Sequence, residues 1–370
     1  MSTCLKRISI FLMLIVALPV TAEDITPLVN SARSFHLTPE EKALFVEASD
    51  RFKKYEIPKS INIRSVYWLD NEHLVFSSRK YPGWEAKPDE MSRVITYNVN
   101  TGAISDSGYR GLVKCLNHLG DILLAQSEKE SGGAVTFKEY RWLTGKWGKS
   151  LEHTDYPAYS FIANHLCSFI PDGDPIFSTP PEKQPPGFAN LMPLLPEHGF
   201  LETTVVRKNG QVQDQLHLVK PDGERILIGN LRLNQFYFTY LPWNETYLET
   251  EVTPHISRLF SPSGKVTSPI VPSLLSVWSM TVYGHATSYV TRIGMLWGVQ
   301  QQSNYFRKQG MFLQTNKGLL RIEVGRHEGP IKISPNGCMV HAQVVRGDSS
   351  KAAPRSQIRV VINVCKELEQ

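Results

Sequence analysis

The sequence predicts an all-β fold assembled from repeated units, and three observations support this prediction. From Ile61 onward, short runs of β-branched and aromatic residues alternate with turn residues, as expected for short strands. Tyr109 is followed by Asn-His-Leu at 117–119, and Tyr156 is followed at the same spacing by Asn-His-Leu at 164–166, which gives a period of 47 residues. The chain also contains 25 glycines and 24 prolines, enough for a turn between each pair of strands.

Repeats of about 40–50 residues with four strands each are typical of β-propeller blades. We therefore predict a β-propeller of about seven blades, with units at 61–108, 109–155, 156–187, 188–232, 233–275, 276–327 and 328–368. The third unit is short, and eight prolines lie between Pro171 and Pro196. Because proline interrupts strand pairing, six blades with one long insertion is an alternative. A pair of packed β-sandwiches is the alternative fold.

Short turn motifs recur within these units. Ser-Pro-Ser-Gly at 261–264 and Ser-Pro-Asn-Gly at 334–337 approximate a Ser-Pro-Asp-Gly turn. In these motifs the chain resembles a secreted β-propeller, loosely similar to the WD-like and TolB-type periplasmic repeats. No unit carries the Gly-His and Trp-Asp signature of WD repeats. The resemblance implies an architecture and transfers no functional residue.

One helix is predicted ahead of the repeats. Thr38 and Glu41 form a capping box, and apolar residues three and four apart lie between Phe45 and Tyr55. This pattern predicts a helix over 39–56.

The last unit lacks an outermost strand after Cys365, and residues 25–35 are candidates to supply it and close the ring. The predicted organisation is therefore an N-terminal extension over 23–60, with the helix and a possible ring-closing strand, followed by a propeller domain over 61–368.

Residues 1–22 read as a cleaved secretory signal peptide. Lys6 and Arg7 precede an apolar run at 8–20, and small residues at 20–22 fit a cleavage site. The apolar run is too short for a membrane span, which needs about 20 residues. We therefore predict a secreted or periplasmic protein with no membrane span.

The charge balance excludes one class of partner. After removal of the signal peptide, the chain carries 38 basic and 35 acidic residues, a net charge of +3. Nucleic-acid binders carry strongly basic domains, so we expect no nucleic-acid partner.

Four cysteines remain in the mature chain, which suggests two disulfides in an exported protein. Residues 338–345 and 357–365 are β-rich runs separated by a polar loop. A hairpin centred on that loop places Cys338 opposite Cys365, within reach of a disulfide. Cys115 with Cys167 then follows by elimination. The alternative is that all four are buried thiols.

No strong catalytic or cofactor signature is present. The chain lacks Gly-x-Ser-x-Gly, His-Glu-x-x-His, a phosphate-binding glycine loop and Cys-x-x-Cys. Histidines recur at the turn between the first two strands of several units, at His73, His118, His165 and His198. Equivalent turns lie too far apart to share one ion. We therefore predict no metal, no cofactor and no catalytic residue.

Cations mixed with aromatic residues cluster in the loops between the second and third strands of several units. This mixture suits anionic or carbohydrate partners and protein interfaces. The candidate binding residues are Arg79, Lys80, Trp84, Lys87, Arg207, Lys208, Tyr305, Arg307, Lys308, Arg346 and Arg355.

The predicted function is that of an exported β-propeller acting as a rigid binding platform. Its expected partner is another envelope or extracellular protein, or an anionic envelope component such as a glycan. The alternatives are a propeller enzyme acting on glycans and a structural subunit of an envelope complex.

Overall fold

The described residues form an all-β structure. The computed structural model describes residues 45–47, 51–88, 90–116, 122–127, 135–143, 146–153, 160–162, 166–168, 191–195, 197–208, 210–230, 236–251, 257–267, 284–301, 310–316, 318–346 and 356–366. These residues contain 28 strands in six sheets and no α-helix. Within them, no helix has the length and apolar character needed to cross a membrane.

The strands are numbered in chain order and the sheets I to VI. Two strands lie ahead of sheet I, namely β1 (Phe45–Glu47) and β2 (Lys53–Ile57). Sheet I contains β3 (Asn62–Trp68), β4 (His73–Tyr81), β5 (Trp84–Glu85), β6 (Arg93–Asn98) and β7 (Ile104–Arg110). Sheet II contains β8 (Leu112–Leu116), β9 (Ile122–Ser127), β10 (Val135–Leu143), β11 (Lys146–His153), β12 (Ser160–Ile162) and β13 (Leu166–Ser168). Sheet III contains β14 (Leu191–Pro193), β15 (Phe200–Lys208), β16 (Gln211–Val219) and β17 (Arg225–Gly229).

The remaining sheets complete the series. Sheet IV contains β18 (Phe236–Leu241), β19 (Thr246–Glu251), β20 (Ser257–Phe260) and β21 (Val266–Thr267). Sheet V contains β22 (Gly284–Thr291), β23 (Gly294–Gln301), β24 (Gly310–Thr315) and β25 (Gly318–Glu323), with β1 added parallel to β25. Sheet VI contains β26 (Arg326–Ile333), β27 (Met339–Arg346) and β28 (Ser356–Asn363), with β2 added antiparallel to β28.

The six sheets pack in a cyclic order. Neighbouring sheets share buried apolar clusters, represented by Val75 with Leu124 for I and II, Leu218 with Phe260 for III and IV, Leu248 with Trp297 for IV and V, Leu296 with Val340 for V and VI, and Val361 with Phe76 for VI and I. Between sheets II and III, β12 lies against β14. The last sheet therefore packs against the first, an order typical of a β-propeller, in which each blade contacts two neighbours.

The predicted helix over 39–56 is wrong at the described residues of this range. Residues 45–47 pair with β25, and Lys53–Ile57 is the outermost strand of sheet VI. Phe52, one of the apolar residues with this spacing, lies in the core that sheets V and VI share, although no helix is present there. The open edge of β28 offers backbone partners that a local pattern cannot show, and such tertiary pairing overrides helix propensity.

The last sheet does take its outermost strand from upstream, as the sequence suggests. The strand is β2, whereas residues 25–35, the predicted source, lie outside the described residues. Residues 1–22, the predicted signal peptide, also lie outside them.

The third predicted unit, 156–187, forms no sheet of its own in the described residues. Its two described strands, β12 and β13, extend sheet II, and β13 lies parallel to β8.

The predicted disulfide between Cys338 and Cys365 is confirmed, with Cα atoms 5.0 Å apart. The register differs from the prediction by one residue, because Met339 lies opposite Asn363. The Val364 N–H bonds to the Cys338 carbonyl. The chain turns after Asn363, and this turn brings Cys365 to Cys338 just beyond the paired strands.

Cys115 is also disulfide-bonded. Its predicted partner, Cys167, lies on β13, where Leu166 is opposite Leu116. The side chain of Cys167 lies outside the described part of the chain, so this pairing stays a prediction.

Candidate binding surface

The described candidate residues lie in or beside the connections between the second and third strands of sheets I, III and VI. The structure describes the side chains of Arg79, Lys80, Trp84, Lys87, Arg207 and Arg346. Lys208 is described for its backbone alone, and Tyr305, Arg307, Lys308 and Arg355 lie outside the described residues.

In sheet I the connection forms a short flap, residues 82–88, folded back on β4. The register places Trp84 opposite Tyr81, and Gly83 adopts a φ of 85° in the two-residue turn between them. Glycine takes this left-handed conformation without steric cost. The Arg79 guanidinium donates to the backbone carbonyl of Lys87 and, at 3.2 Å, to the carbonyl of the next residue. Arg79 therefore fixes the flap to its own strand.

An aromatic and cationic stack lies on this flap. The rings of Tyr81 and Trp84 are stacked with centroids 5.3 Å apart. The guanidinium carbon of Arg93, the first residue of β6, lies 4.1 Å from the Trp84 ring centroid. Arg93 also donates to the Tyr81 hydroxyl at 3.0 Å and to the Asp106 carboxylate at 2.8 Å. Trp84 is half-buried, with Arg93 and Tyr81 holding its orientation.

Asp106 is the anion that balances this stack. Its carboxylate accepts from the Tyr81 hydroxyl at 3.0 Å and lies 3.5 Å from Arg110. Burial alone would raise the pKa of Asp106, but the Gly108 N–H, the Tyr81 hydroxyl and the two arginines outweigh burial and hold the pKa below its usual value. Asp106 is therefore a fixed negative charge that neutralises much of Arg93.

The two candidate lysines of sheet I differ in whether they form an ion pair. Lys80 forms an ion pair with Glu85 at 2.7 Å across the flap, so little of its charge is available to a partner. Lys87 has an exposed side chain that forms no ion pair within the described residues. Lys87 is thus an exposed cation of the flap that no described carboxylate neutralises, and the half-buried Trp84 lies in the same flap.

In sheet III, Arg207 lies near the tip of the β15–β16 hairpin. The Arg207 side chain is exposed, and Val212 lies opposite it. Val205 and Val212 are each 60% exposed, so this hairpin presents apolar surface beside its cation.

Arg346 is a candidate that the structure places in an internal network. Its guanidinium lies 3.0 Å from Glu323, the last residue of β25, and 3.2 Å from Glu56 on β2. Lys54 of β2 lies 3.2 Å from the same Glu323 carboxylate. Burial would raise the pKa of Glu323, but hydrogen bonds and charge from Arg346 and Lys54 lower it. Arg346 therefore joins sheets V and VI and carries no free charge for a ligand.

A cavity of about 280 Å³ lies between the outer strands of sheet I and Trp147 of β11. It is lined by His73, Thr96, Asn98, Thr101, Ala103, Ser105, Asp106, Ser107 and Trp147. Several polar groups of this lining bond within the fold, since Asn98 Nδ2 lies 3.1 Å from His73 Nε2 and Ser107 donates to the Val94 carbonyl. Asp106 is the one carboxylate among the lining residues. Glycoside hydrolysis uses two carboxyl groups, and this lining does not supply the pair.

The two described histidines of the recurring set bond within the fold, His73 in its own turn and His198 to the neighbouring sheet IV. His73 Nδ1 lies 3.0 Å from the Asp70 carboxylate, and His198 Nδ1 lies 2.8 Å from the Tyr247 hydroxyl. His118 and His165 lie outside the described residues. In the described part of the chain, no group of three or more metal-ligating side chains is present.

Sequence reasoning missed Arg93 and Asp106, which complete the Trp84 stack. Asp106 lies on β7, and Arg93 lies on the neighbouring strand β6 with Arg110 opposite it. No spacing in the sequence indicated that Arg93 would contact Trp84 or that Asp106 would bond to Arg93 and Tyr81.

Comparisons with known proteins identify no family. No protein-family model and no curated protein matches this sequence. Among solved structures, a luciferin-regenerating enzyme is similar with 9% identity and a TM-score of 0.35, over 84% of this chain and 97% of that one. A gluconolactonase from Xanthomonas campestris is similar with 10% identity and a TM-score of 0.37, over 89% and 93%. TolB from Acinetobacter baumannii is similar with 11% identity and a TM-score of 0.32, over 81% and 65%. At these TM-scores the similarities carry no argument about this chain.

Proposed function

We propose that this chain is an exported propeller-type binding platform whose six sheets act as blades and whose flap on sheet I contacts the partner. The observation that carries the proposal is the half-buried Trp84, in contact with Tyr81 and Arg93 and in the same flap as the exposed Lys87. Tryptophan, tyrosine and arginine are the residues most enriched at binding hot spots. The disulfide between Cys338 and Cys365 supports an oxidising, extracytoplasmic location.

Rigidity favours a binding role for this flap. The flap is tied to β4 by strand pairing and by the Arg79 hydrogen bonds to its carbonyls. A surface already fixed in its bound conformation loses little conformational entropy on association. The flap therefore presents Trp84 and Lys87 to a partner on a fixed backbone.

The partner class follows from the charges that remain. Because Lys80 and Arg93 are paired with carboxylates, the flap offers one exposed ammonium, Lys87, in the same segment as the Trp84 ring. This combination suits an acidic protein surface better than a highly charged polyanion, since a polyanion needs many unpaired cations. We therefore favour an envelope or extracellular protein with an acidic patch as the partner.

The proposal is tested by copurification from the native compartment after mild crosslinking, at low and at high salt. We expect one stoichiometric partner at low salt that is weakened at high salt, because exposed charges are screened. Lys87→Glu should abolish recovery of this partner, since it reverses the exposed charge without removing a contact of the fold.

Lys265→Glu is the matched control. Lys265 is an exposed lysine in the turn between β20 and β21, a third-to-fourth-strand connection of sheet IV. Trp84→Ala should also lose the partner, at a stability cost of about 1 kcal/mol for the lost ring contacts. Recovery of the same partner by wild type, Lys87→Glu and Lys265→Glu alike would refute the proposed surface.

A further inference from the structure

The cavity between sheets I and II lies where their shared interface changes from apolar to polar. The face of sheet I that packs on sheet II carries Val75 and Val94 in a buried apolar cluster with Leu124. Thr96 lies opposite Val75 and two residues from Val94, so its side chain is on the same face. Ser105 lies opposite Thr96 on β7, the outermost strand of sheet I. The cavity of about 280 Å³ is therefore bounded on this side by hydroxyl-bearing residues.

Sheet II contributes an aromatic wall to the same cavity. Trp147 lies on β11, the outermost strand of sheet II, and is the one aromatic residue among the described lining residues. Its ring meets the Tyr109 ring edge-on, with centroids 5.6 Å apart. The Tyr109 ring in turn stacks on Tyr140 at 3.7 Å. These contacts fix the half-buried indole at the edge of the core, so the aromatic wall is preformed.

Three polar groups of the lining retain hydrogen-bonding capacity. The backbone carbonyl of Ser105 accepts from the Thr96 hydroxyl at 3.4 Å, whereas the Ser105 hydroxyl has no partner among the described residues. Thr101 Oγ1 accepts a backbone N–H at 3.2 Å, which leaves its own hydroxyl hydrogen available. One amide hydrogen of Asn98 is directed to His73 Nε2 at 3.1 Å, and the second is available. The cavity thus offers donors and acceptors to a ligand that carries hydroxyl groups.

The charges around the cavity favour an uncharged ligand. No lysine or arginine is among the described lining residues, so an anion would meet no cation. Asp106, the one carboxylate of the lining, lies 2.8 Å from Arg93 and 3.5 Å from Arg110. A cationic ligand would compete with both arginines for this carboxylate. Transfer of a charged group from water without an opposite charge is strongly unfavourable, and a neutral ligand avoids this cost.

We propose that the cavity between sheets I and II binds one neutral sugar in its pyranose form, with an apolar C–H face on Trp147 and hydroxyl groups bonded to Ser105, Thr101 and Asn98. A pyranose carries both surfaces, an apolar ring face and hydroxyl groups that donate and accept. Pockets for drug-sized ligands measure about 300–1,000 Å³, so the volume suits a single ring. Because the lining supplies one carboxylate, the sugar is bound without hydrolysis. Binding at this cavity does not depend on the partner of the flap.

Titration calorimetry of the full chain tests the ligand class. The probes are D-glucose, D-galactose and D-mannose, each compared with its uronate, in which a carboxylate replaces the terminal hydroxymethyl group. At least one neutral sugar should bind saturably. Its uronate should bind at least about tenfold more weakly, because the lining offers no cation to the added carboxylate. No saturable heat from any of the three sugars, or equal affinity for a sugar and its uronate, would overturn the proposal.

Two variants locate the site. Ser105→Val removes the open hydroxyl from an exposed strand position where valine is well tolerated, and Trp147→Leu removes the ring but keeps an apolar side chain. Each should lower the affinity for the sugar at least about tenfold, the loss expected for one good hydrogen bond or ring contact. Thr267→Val, which removes an exposed hydroxyl from the outermost strand of sheet IV, is the matched control and should bind as the wild type does.

The melting temperature of each variant shows whether it is folded. Wild-type affinity in folded Ser105→Val or in folded Trp147→Leu would place the sugar elsewhere and overturn the proposal. An equal loss of affinity in Thr267→Val would do the same, because that residue lies outside the cavity. Should Trp147→Leu fail to fold, Ser105→Val and the wild-type titrations still decide the question.

Discussion

Glu323→Gln is the substitution that most sharply tests how sheets V and VI are joined. The Glu323 side chain is 1% exposed and contacts Lys54 at 3.2 Å and Arg346 at 3.0 Å, whose side chains are 19% and 38% exposed. Removing one partner of a buried ion pair costs about 3–5 kcal/mol. Glutamine keeps an oxygen for the Val324 N–H that now bonds to Glu323, and both cations are open enough to gain water. We therefore expect Glu323→Gln to lower the free energy of unfolding by about 3 kcal/mol, the low end of this range.

The assay is unfolding in urea and by heat, with Glu224→Gln as the matched control. A loss of about 3 kcal/mol corresponds to a fall in melting temperature of roughly 5 °C. Glu224 pairs with Lys220 at 2.6 Å but its side chain is 55% exposed. Exposed pairs contribute little, so this control should show no measurable change.

The pH dependence gives a second, independent readout. The folded-state pKa of Glu323 is below its usual value of 4.5, so the native state binds fewer protons than the unfolded chain as the pH falls below that value. Its stabilisation is present above pH 4.5 and is lost as the pH falls through the folded-state pKa. The difference between wild type and Glu323→Gln should therefore shrink in acid. A difference that is constant with pH, or no larger than that of Glu224→Gln, would refute the reasoning.

Three further substitutions test other parts of the fold. Replacing Cys338 and Cys365 with serine should lower the free energy of unfolding by about 3.5 kcal/mol, the chain-entropy value for a bridge that spans 27 residues, and an unchanged urea midpoint would contradict this. Gly199→Ala should destabilise the fold more than Gly223→Ala. Both glycines have a φ near 88°, where left-handed strain alone costs about 1–2 kcal/mol, but a Cβ at Gly199 would lie 2.0 Å from a carbonyl oxygen, whereas a Cβ at Gly223 would meet open space. Equal losses of stability by calorimetry would contradict this, because they would show that the carbonyl moves aside. Burial lowers the pKa of Lys332 from 10.5 to about 6, so between these values the unfolded chain binds more protons than the native state and stability should rise with pH. Lys332→Met should abolish that rise in a series of urea unfolding curves, and a variant with an unaltered pH slope would contradict a lowered pKa of Lys332.

Much of the strand arrangement was predictable because each unit is locally encoded. Sheet I spans 62–110 against a predicted 61–108, since turn residues and β-branched runs mark its limits. The hairpin that carries Cys338 and Cys365 was predicted from the same signals. Its register was wrong by one residue, because the loop between its strands gave no fixed centre.

The predictions of secondary structure and of sheet boundaries are wrong where pairing with strands distant in sequence determines the structure. The residues of β2 fit a helical spacing, and only the edge of β28, about 300 residues later, makes them a strand. In the described residues, the third predicted unit carries β12 and β13, which join sheet II through the pairing of β13 with β8 instead of forming a sheet of their own. Neither partner is visible in a local window of sequence.

The sequence shows which candidate binding residues are cations or aromatic residues, but it does not show which of the cations are already paired with carboxylates in the fold. Among the predicted cations of sheets I and III, Lys87 lies in the connection between the second and third strands. The others, Arg79, Lys80, Arg207 and Lys208, lie at the end of the second strand. The Arg346 contacts with Glu323 and Glu56 could not be read, because these residues lie on three different strands.

The most direct test of the binding platform is photocrosslinking from the flap in the native compartment. A photoreactive residue at Lys87 and, in a separate variant, at Lys265 would be activated under identical conditions. We expect one discrete adduct from position 87, none of that size from position 265, and loss of the adduct when Trp84→Ala is added. No adduct from position 87, or the same adduct from both positions, would contradict the proposal that this flap binds the partner.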